Sequence, residues 1–188
     1  MNGHSTPSQT AGPFFSIGFT WMNRADIAEG FAGERFTIRG CVLDGDGQRV
    51  PDASVEIWQA DADGRYHHPE HGHLQDEAKP FFGFGRVPTD TQGEFSFSTI
   101  KPGPVSGPDG KPQAPHLQIS IFMRGLLQRL VTRMYFPDDP LNGSDPALRM
   151  VPEPRRGTLI ARPVDGKENS LQWDVHLQGE NETVFFDC

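Results

Sequence analysis

Apolar and polar residues alternate through residues 113–136, and this period of two predicts a pair of β-strands joined by a turn around Gly125. In the first strand the core-facing positions are Leu117, Ile119 and Ile121, with His116 and Gln118 on the opposite face. The second strand alternates in the same way, with one face formed by Leu130, Thr132, Met134 and Phe136 and the other by Arg129, Val131, Arg133 and Tyr135.

The same reading predicts further strands at residues 36–43, 54–59, 95–100, 157–161 and 171–177. The turn signal at residues 44–47 predicts that the first two form a hairpin-like pair. A helical turn is predicted around residues 147–150, and residues 60–92 show no period and read as a long loop. With 21 glycines and 17 prolines and no long helical period, the chain is predicted to be all-β, a two-sheet β-sandwich of about seven to eight strands with long loops.

Residues 1–35 are predicted to form an irregular N-terminal arm, and residues 36–188 the β-sandwich domain. The arm carries Phe14, Phe15, Phe19 and Trp21, and a free arm does not expose so many large apolar side chains unless another surface covers them. We therefore expect the arm to contact a partner chain.

The formal net charge of −8 argues against a nucleic-acid partner, because phosphate binding needs clustered cations. There is no apolar run of 18 residues, so no transmembrane helix and no membrane partner are expected. The N-terminus lacks the basic and apolar regions of a secretory signal, and the two cysteines, Cys41 and Cys188, do not suggest a disulfide framework. These features favour a cytoplasmic location.

His116 and Gln118 stand at the i, i+2 spacing by which a strand presents two metal ligands, but an amide is a poor ligand for a transition metal. A run of imidazoles in the long loop is a second metal candidate, although nothing in its spacing fixes a geometry. Tyr66 is a third, since a tyrosinate suits Fe(III), or it is a loop tyrosine packed over the core. The histidines of the run are His67, His68, His71 and His73.

Six motifs stand out along the chain, at residues 8–13, 55–66, 100–103, 114–116, 132–136 and 179–187. Together they resemble the intradiol ring-cleaving dioxygenases over nearly the whole chain. The resemblance implies a β-sandwich and, in the members that act on protocatechuate, a large oligomer of alternating alpha and beta chains. It also implies non-haem Fe(III), which two tyrosines and two histidines of the beta chain bind.

Carried over position by position, the resemblance implies a vestigial metal site in this chain. The first tyrosine ligand matches Tyr66 and the first histidine matches His116. The second tyrosine falls on Val105, the second histidine on Gln118 and a ring-stabilising arginine on Gln113. One phenol oxygen and one neutral nitrogen do not satisfy a trivalent ion, so the iron is expected in the beta chain. This pattern agrees with an alpha chain and not with a beta chain.

The resemblance also implies a contribution to the substrate pocket. Protocatechuate carries a carboxylate that points away from the iron and needs a cation, and Arg133 is the residue predicted to bind it. The alternative is a surface arginine that pairs with Asp138 or Asp139. Gly12 and Pro13 match an arm that lines the partner's substrate pocket. The implied reaction is cleavage of protocatechuate with O2 to 3-carboxy-cis,cis-muconate.

Two other functions stay open at this point. The first is a non-catalytic β-sandwich adaptor that binds carbohydrate or protein through Trp58 and Tyr66. The second is a self-sufficient metal enzyme that uses the histidines of the long loop.

Overall fold

The computed structural model describes residues 7–67, 81–107 and 110–187. One of its sheets has four antiparallel strands in the order β3–β2–β7–β8. Its central pair, β2 and β7, pairs Ile57 with Ile119 and Trp58 with Gln118, so the same alternation continues across the sheet. The strands are β2 (Ser54–Trp58), β3 (Phe84–Pro88), β7 (His116–Phe122) and β8 (Leu130–Tyr135).

The second sheet is mixed and is built around β1, which pairs antiparallel with β4 and parallel with β10 and β11. Strand β9 completes the sheet against β10. The strands are β1 (Arg35–Leu43), β4 (Glu94–Ile100), β9 (Arg162–Pro163), β10 (Ser170–Gln172) and β11 (Val175–His176).

Short elements lie outside the two sheets. Within the described residues, two strands form a small ribbon, and three short helices and two single 3-10 turns occupy connections. They are β5 (Val105–Ser106), β6 (Pro112–Gln113), α1 (Pro13–Ile17), α2 (Pro146–Met150) and α3 (Glu153–Arg156), with 3-10 turns at Thr20–Met22 and Gly157–Leu159.

The inner faces of the two sheets share one apolar core. Ile57 and Ile119 of the four-stranded sheet and Ile38 of the other are each 0 % exposed, as the alternating pattern predicts. The all-β sandwich and the helical turn near residue 147 are therefore confirmed. Across the described ranges, no helix combines the length and the apolar character that crossing a membrane needs.

The predicted hairpin of residues 36–43 with 54–59 is wrong, because these strands belong to different sheets. The turn after β1 does fold back, and the Val50 N–H donates to the Val42 carbonyl at 2.9 Å. Pro51 follows and has no N–H to continue the pairing, and the chain then enters the other sheet.

Three other predicted elements differ from the structure. Strand β3 falls inside the region predicted to be loop, and the predicted strand at residues 157–161 is a 3-10 turn. The predicted strand at residues 171–177 is divided between β10 and β11. Of the four residues predicted to face inward, Leu171, Trp173 and Val175 are buried, whereas Leu177 is only partly buried and packs against the core.

The predicted arm contains α1 and a 3-10 turn, and its later residues join the sandwich. Ile27 and Ala28 lie in the core at 1 % and 0 % exposed. The Ile27 N–H donates to the Ser98 carbonyl at 2.9 Å, which ties this part of the arm to β4. The division of the chain at residue 35 stays a prediction.

Candidate functional site

The outer face of the four-stranded sheet carries the polar residues singled out by the sequence. His116 lies at one end of β7 and Phe122 at the other, and a strand of this length spans about 20 Å. Across the sheet, His116 is opposite Tyr135 and Gln118 is opposite Arg133. The predicted vestigial positions therefore come together at the His116 end, which we call the polar cluster: Tyr66, Val105, Gln113, His116, Gln118, Arg133, Tyr135 and Asp145.

Close backbone packing holds Tyr66 and Val105 in this region. Gly64 has φ of +79°, and a Cβ there would lie 2.1 Å from the Pro104 carbonyl oxygen, so only glycine fits. The turn before Tyr66 thus packs directly on the segment that leads into Val105. The Tyr66 ring stacks on Trp58 with centroids 6.0 Å apart and planes 7° apart.

His116 is buried, and its ring orientation is fixed. Its Nδ1 donates to the Ala114 carbonyl at 2.7 Å, since a carbonyl oxygen can only accept. In the neutral ring this leaves Nε2 as the acceptor, the tautomer that a metal-binding histidine has. The ring also lies against Tyr135, with centroids 5.6 Å apart.

A cation lies within the polar cluster. Arg133 Nη1 donates to Gln113 Oε1 at 2.7 Å and contacts the Tyr135 hydroxyl at 3.4 Å. That hydroxyl donates to Asp145 Oδ1 at 3.1 Å, and the other Asp145 oxygen accepts from the Ala114 N–H at 2.8 Å. The guanidinium, two rings and a fully buried carboxylate form one connected network.

The donors of the polar cluster do not fit Fe(III). Burial raises the pKa of the Tyr66 phenol, and the charge of Arg133 only partly opposes this. Val105 has no donor atom and Gln118 offers an amide. Arg133 adds a positive charge, which repels a metal ion. Within residues 7–67, 81–107 and 110–187, no three histidine, cysteine or carboxylate side chains are grouped as a metal site would need.

His67, the first residue of the histidine run, has a structural partner. Its ring is 4 % exposed, and Nε2 lies 2.8 Å from Asp61 Oδ2. Asp61 also accepts from the backbone N–H groups of Asp63 and Arg65, so it organises the turn that precedes Tyr66. His68, His71 and His73 lie outside the described residues.

The environment of His116 predicts a pH dependence of stability. Burial lowers the pKa of His116 to about 4, with repulsion from Arg133 adding to the effect, while the Ala114 carbonyl and Asp145 oppose it. An unfolded histidine titrates near pH 6.5, so between about pH 6.5 and 4 only the unfolded chain takes up this proton. The free energy of unfolding should therefore fall as pH drops through this window, by roughly 3 kcal/mol at pH 4.

Urea unfolding at pH 7.0, 5.5 and 4.5 measures this change. His116→Gln keeps a donor for the Ala114 carbonyl and removes the titration, so its profile should be flatter than that of the parent. His176→Gln is the control, because His176 is only half-buried in β11. Parallel profiles for the parent and His116→Gln would contradict the prediction.

The other end of the outer face holds Gly12 and Pro13. They line a groove of about 230 Å³, here called the arm groove, together with Phe15, Asp52 and Arg124. Thr10 fixes the arm beside it, because its Oγ1 accepts from the Gly125 N–H at 2.7 Å. Arg124 forms an ion pair with Asp52 and its side chain is 70 % exposed.

Arg133 is not brought together with Gly12 and Pro13. It belongs to the polar cluster, whereas the arm groove contains Arg124, which the sequence interpretation did not single out. The signal was available, because Arg124 directly precedes Gly125, the residue expected at the turn. Turn residues have no assigned strand face, so the alternation of the strands did not indicate Arg124.

Large apolar side chains are exposed along the same part of the arm. Phe14, Ile17 and Trp21 are 80 %, 66 % and 78 % exposed. Apolar side chains exposed so close together are typical of a surface that another molecule covers.

Comparison with known proteins defines the class. The family model described as "Dioxygenase" matches residues 22–179. The dioxygenase domain of a dioxygenase–carbohydrate-binding fusion protein from Streptomyces sp. SirexAA-E has the same fold. Its TM-score is 0.63 at 23 % identity, over 84 % of this chain and 88 % of that one. The chain belongs to the family of intradiol ring-cleaving dioxygenases, which are oxidoreductases that depend on non-haem iron.

Two curated relatives narrow the comparison. The chain is 42 % identical to the protocatechuate 3,4-dioxygenase alpha chain of Pseudomonas putida, over 97 % of this chain and 96 % of that protein. It is 39 % identical to the protocatechuate 3,4-dioxygenase beta chain of Burkholderia cepacia, over 80 % of this chain and 67 % of that protein. The predicted resemblance to the intradiol family is confirmed.

Proposed function

We propose that this chain is the alpha subunit of a protocatechuate 3,4-dioxygenase. In this proposal a beta chain binds Fe(III), and the present chain completes the substrate pocket and the assembly. The observation that carries the proposal is the polar cluster. The chain belongs to an iron-dependent family, but two of its four implied ligand positions are occupied by Val105 and Gln118, and the guanidinium of Arg133 lies beside them. Its iron must therefore be bound by a neighbouring chain.

The arm supports the second half of the proposal. Gly12 and Pro13 present backbone and a rigid ring to the arm groove, which suits close approach to a flat aromatic substrate. The exposed rings of Phe14 and Trp21 belong to the same arm and provide apolar surface for the beta chain to cover. The groove is then one wall of a pocket whose other walls, and iron, belong to the partner.

The substrate carboxylate needs a cation, and two arginines of this chain are candidates. Arg133 was predicted for this role, and the role stays a prediction. Its guanidinium is already bonded to Gln113 and Tyr135 in the polar cluster. Arg124 stands in the arm groove with Gly12 and Pro13 and is mostly exposed. We propose that Arg124 binds the carboxylate, since a guanidinium forms strong charge-assisted hydrogen bonds to such a group.

The proposed reaction inserts both atoms of O2 into protocatechuate. The bond between the two hydroxyl-bearing carbons breaks, and the product is 3-carboxy-cis,cis-muconate. The contribution of this chain is to orient the ring by its carboxylate and to exclude water from one side of the pocket.

Mixing the subunits tests the proposal. The full-length chain alone should contain no iron and consume no O2 with protocatechuate, whereas the chain combined with an intradiol beta chain should restore protocatechuate-dependent O2 uptake. Iron and activity in the lone chain would instead support the self-sufficient metal enzyme. Inactivity of every mixture, with the beta chain shown to be folded and loaded with iron, would leave the adaptor function.

A further inference from the structure

Arg86 is an unusual residue of the outer face. It lies in β3 opposite Glu56 and is 3 % exposed, although arginine is almost never fully buried unless it is paired. On the sheet side, its Nε donates to Ser54 Oγ at 2.9 Å, and its Nη1 lies 3.6 Å from Glu56 Oε1.

The arm covers the other side of this guanidinium. The guanidinium carbon lies 4.5 Å from the ring centroid of Phe15 and 5.1 Å from that of Phe19, which places both rings in cation–π range. Nη2 also donates to the backbone carbonyl of Phe15 at 3.2 Å. One buried cation therefore binds the sheet and the arm together.

The arm needs such contacts to keep one conformation. Helix α1 has five residues and no side-chain cap, and so short a helix is not stable without tertiary packing. The arm is attached by the bond between Thr10 and Gly125, by the Phe15 ring against Phe122 with centroids 5.1 Å apart, and by the contacts of Arg86 with Phe15 and Phe19. Gly12 and Pro13 lie between these attachments in sequence, so the position of Arg86 fixes the wall that they form.

We infer that Arg86 is a positioning residue, which fixes the arm on the sheet and thereby sets the shape of the arm groove. The inference rests on the proposed function for its effect on substrate, but not for its effect on the arm. A lysine does not replace Arg86, because the planar guanidinium bonds Ser54 and the Phe15 carbonyl while its faces lie against rings.

Proteolysis of the isolated full-length chain tests the effect on the arm. Arg86→Met and Arg86→Lys should speed chymotrypsin cleavage between residues 14 and 22 by about tenfold, because the arm leaves the sheet more often. Arg49→Met, which removes an arginine of an exposed ion pair with Glu94, should leave the rate unchanged. Phe19→Leu removes one ring without disturbing the buried charge and should increase cleavage at the remaining aromatic sites of this segment by about threefold. If Arg86→Met does not fold, Phe19→Leu still tests the inference. Cleavage at the parental rate in folded Arg86 variants and in Phe19→Leu would overturn it.

Steady-state kinetics of the assembled enzyme test the effect on substrate. Arg86→Lys should raise KM for protocatechuate about tenfold with kcat within twofold of the parent, because the wall is displaced while the iron site is untouched. Unchanged KM would overturn the inference, and a variant lacking residues 1–17 then shows which idea is at fault. If that truncation raises KM, the proposed function stands without a role for Arg86. If it does not, the proposed pocket role of the arm falls as well.

Discussion

A chain carrying Val105→Tyr and Gln118→His will not retain Fe(III) while Arg133 is present, and will retain it once Arg133→Gln is added. The first two changes introduce the oxygen and nitrogen donors that the resemblance to the family implies at these positions. They leave a guanidinium bonded to Gln113 and Tyr135 among those donors. At a separation of about 5 Å and an effective dielectric constant of about 20, each positive charge on the ion is opposed by roughly 3 kcal/mol.

For a trivalent ion this repulsion sums to roughly 9 kcal/mol, which corresponds to a difference in iron affinity of about a million-fold or more between the double and triple variants. Metal analysis after gel filtration and the visible absorption of an iron–tyrosinate complex measure it. Arg133→Gln alone is the matched control and should stay colourless, because Val105 still provides no donor. Equal iron retention by the double and triple variants would show that Arg133 does not exclude the metal.

Arg124→Leu in the assembled enzyme should weaken the use of protocatechuate by about 10- to 100-fold and leave that of catechol nearly unchanged. A hydrogen bond to a charged group contributes about 1.5–3 kcal/mol, and catechol lacks the carboxylate that would receive it. Values of kcat/KM for the two substrates, measured on the same preparations, give the comparison.

Arg133→Leu is the matched control for Arg124→Leu, because it makes the same change in the polar cluster at the far end of the sheet. It should alter kcat/KM for the two substrates by similar factors. A loss confined to protocatechuate in Arg133→Leu would assign the carboxylate to Arg133, as the sequence interpretation predicted. A similar loss for both substrates in Arg124→Leu would remove Arg124 from this role.

Strand alternation was enough to predict most of the strands that build the core, but not β3, which contributes Val87. Ile119 and Ile121 at inward positions of β7 are buried as expected. The same holds for Leu171, Trp173 and Val175. Strand partners were less predictable, because pairing depends on contacts between distant residues. The turn at residues 44–47 correctly signals a reversal, but the local sequence does not show that the chain then changes sheets.

The polar cluster was only partly predictable. The spacing of His116 and Gln118 placed both on one face, and the structure keeps them there. The alternation already placed Tyr135 on the same face as Arg133, but it did not predict Gln113 as a partner, because Gln113 reaches Arg133 from a ribbon strand. Asp145 was also missed, since a buried carboxylate that binds a tyrosine from another part of the chain leaves no local pattern.

The distance between the two ends of the outer face has an evolutionary consequence. Substitutions separated by more than about 10 Å and without shared partners usually have additive effects on free energy. The polar cluster and the arm groove lie about 20 Å apart along β7, so selection can act on one without penalty at the other. A duplicated gene encoding this fold can therefore lose metal binding in one copy while that copy keeps, or refines, its contribution to its sibling's active site.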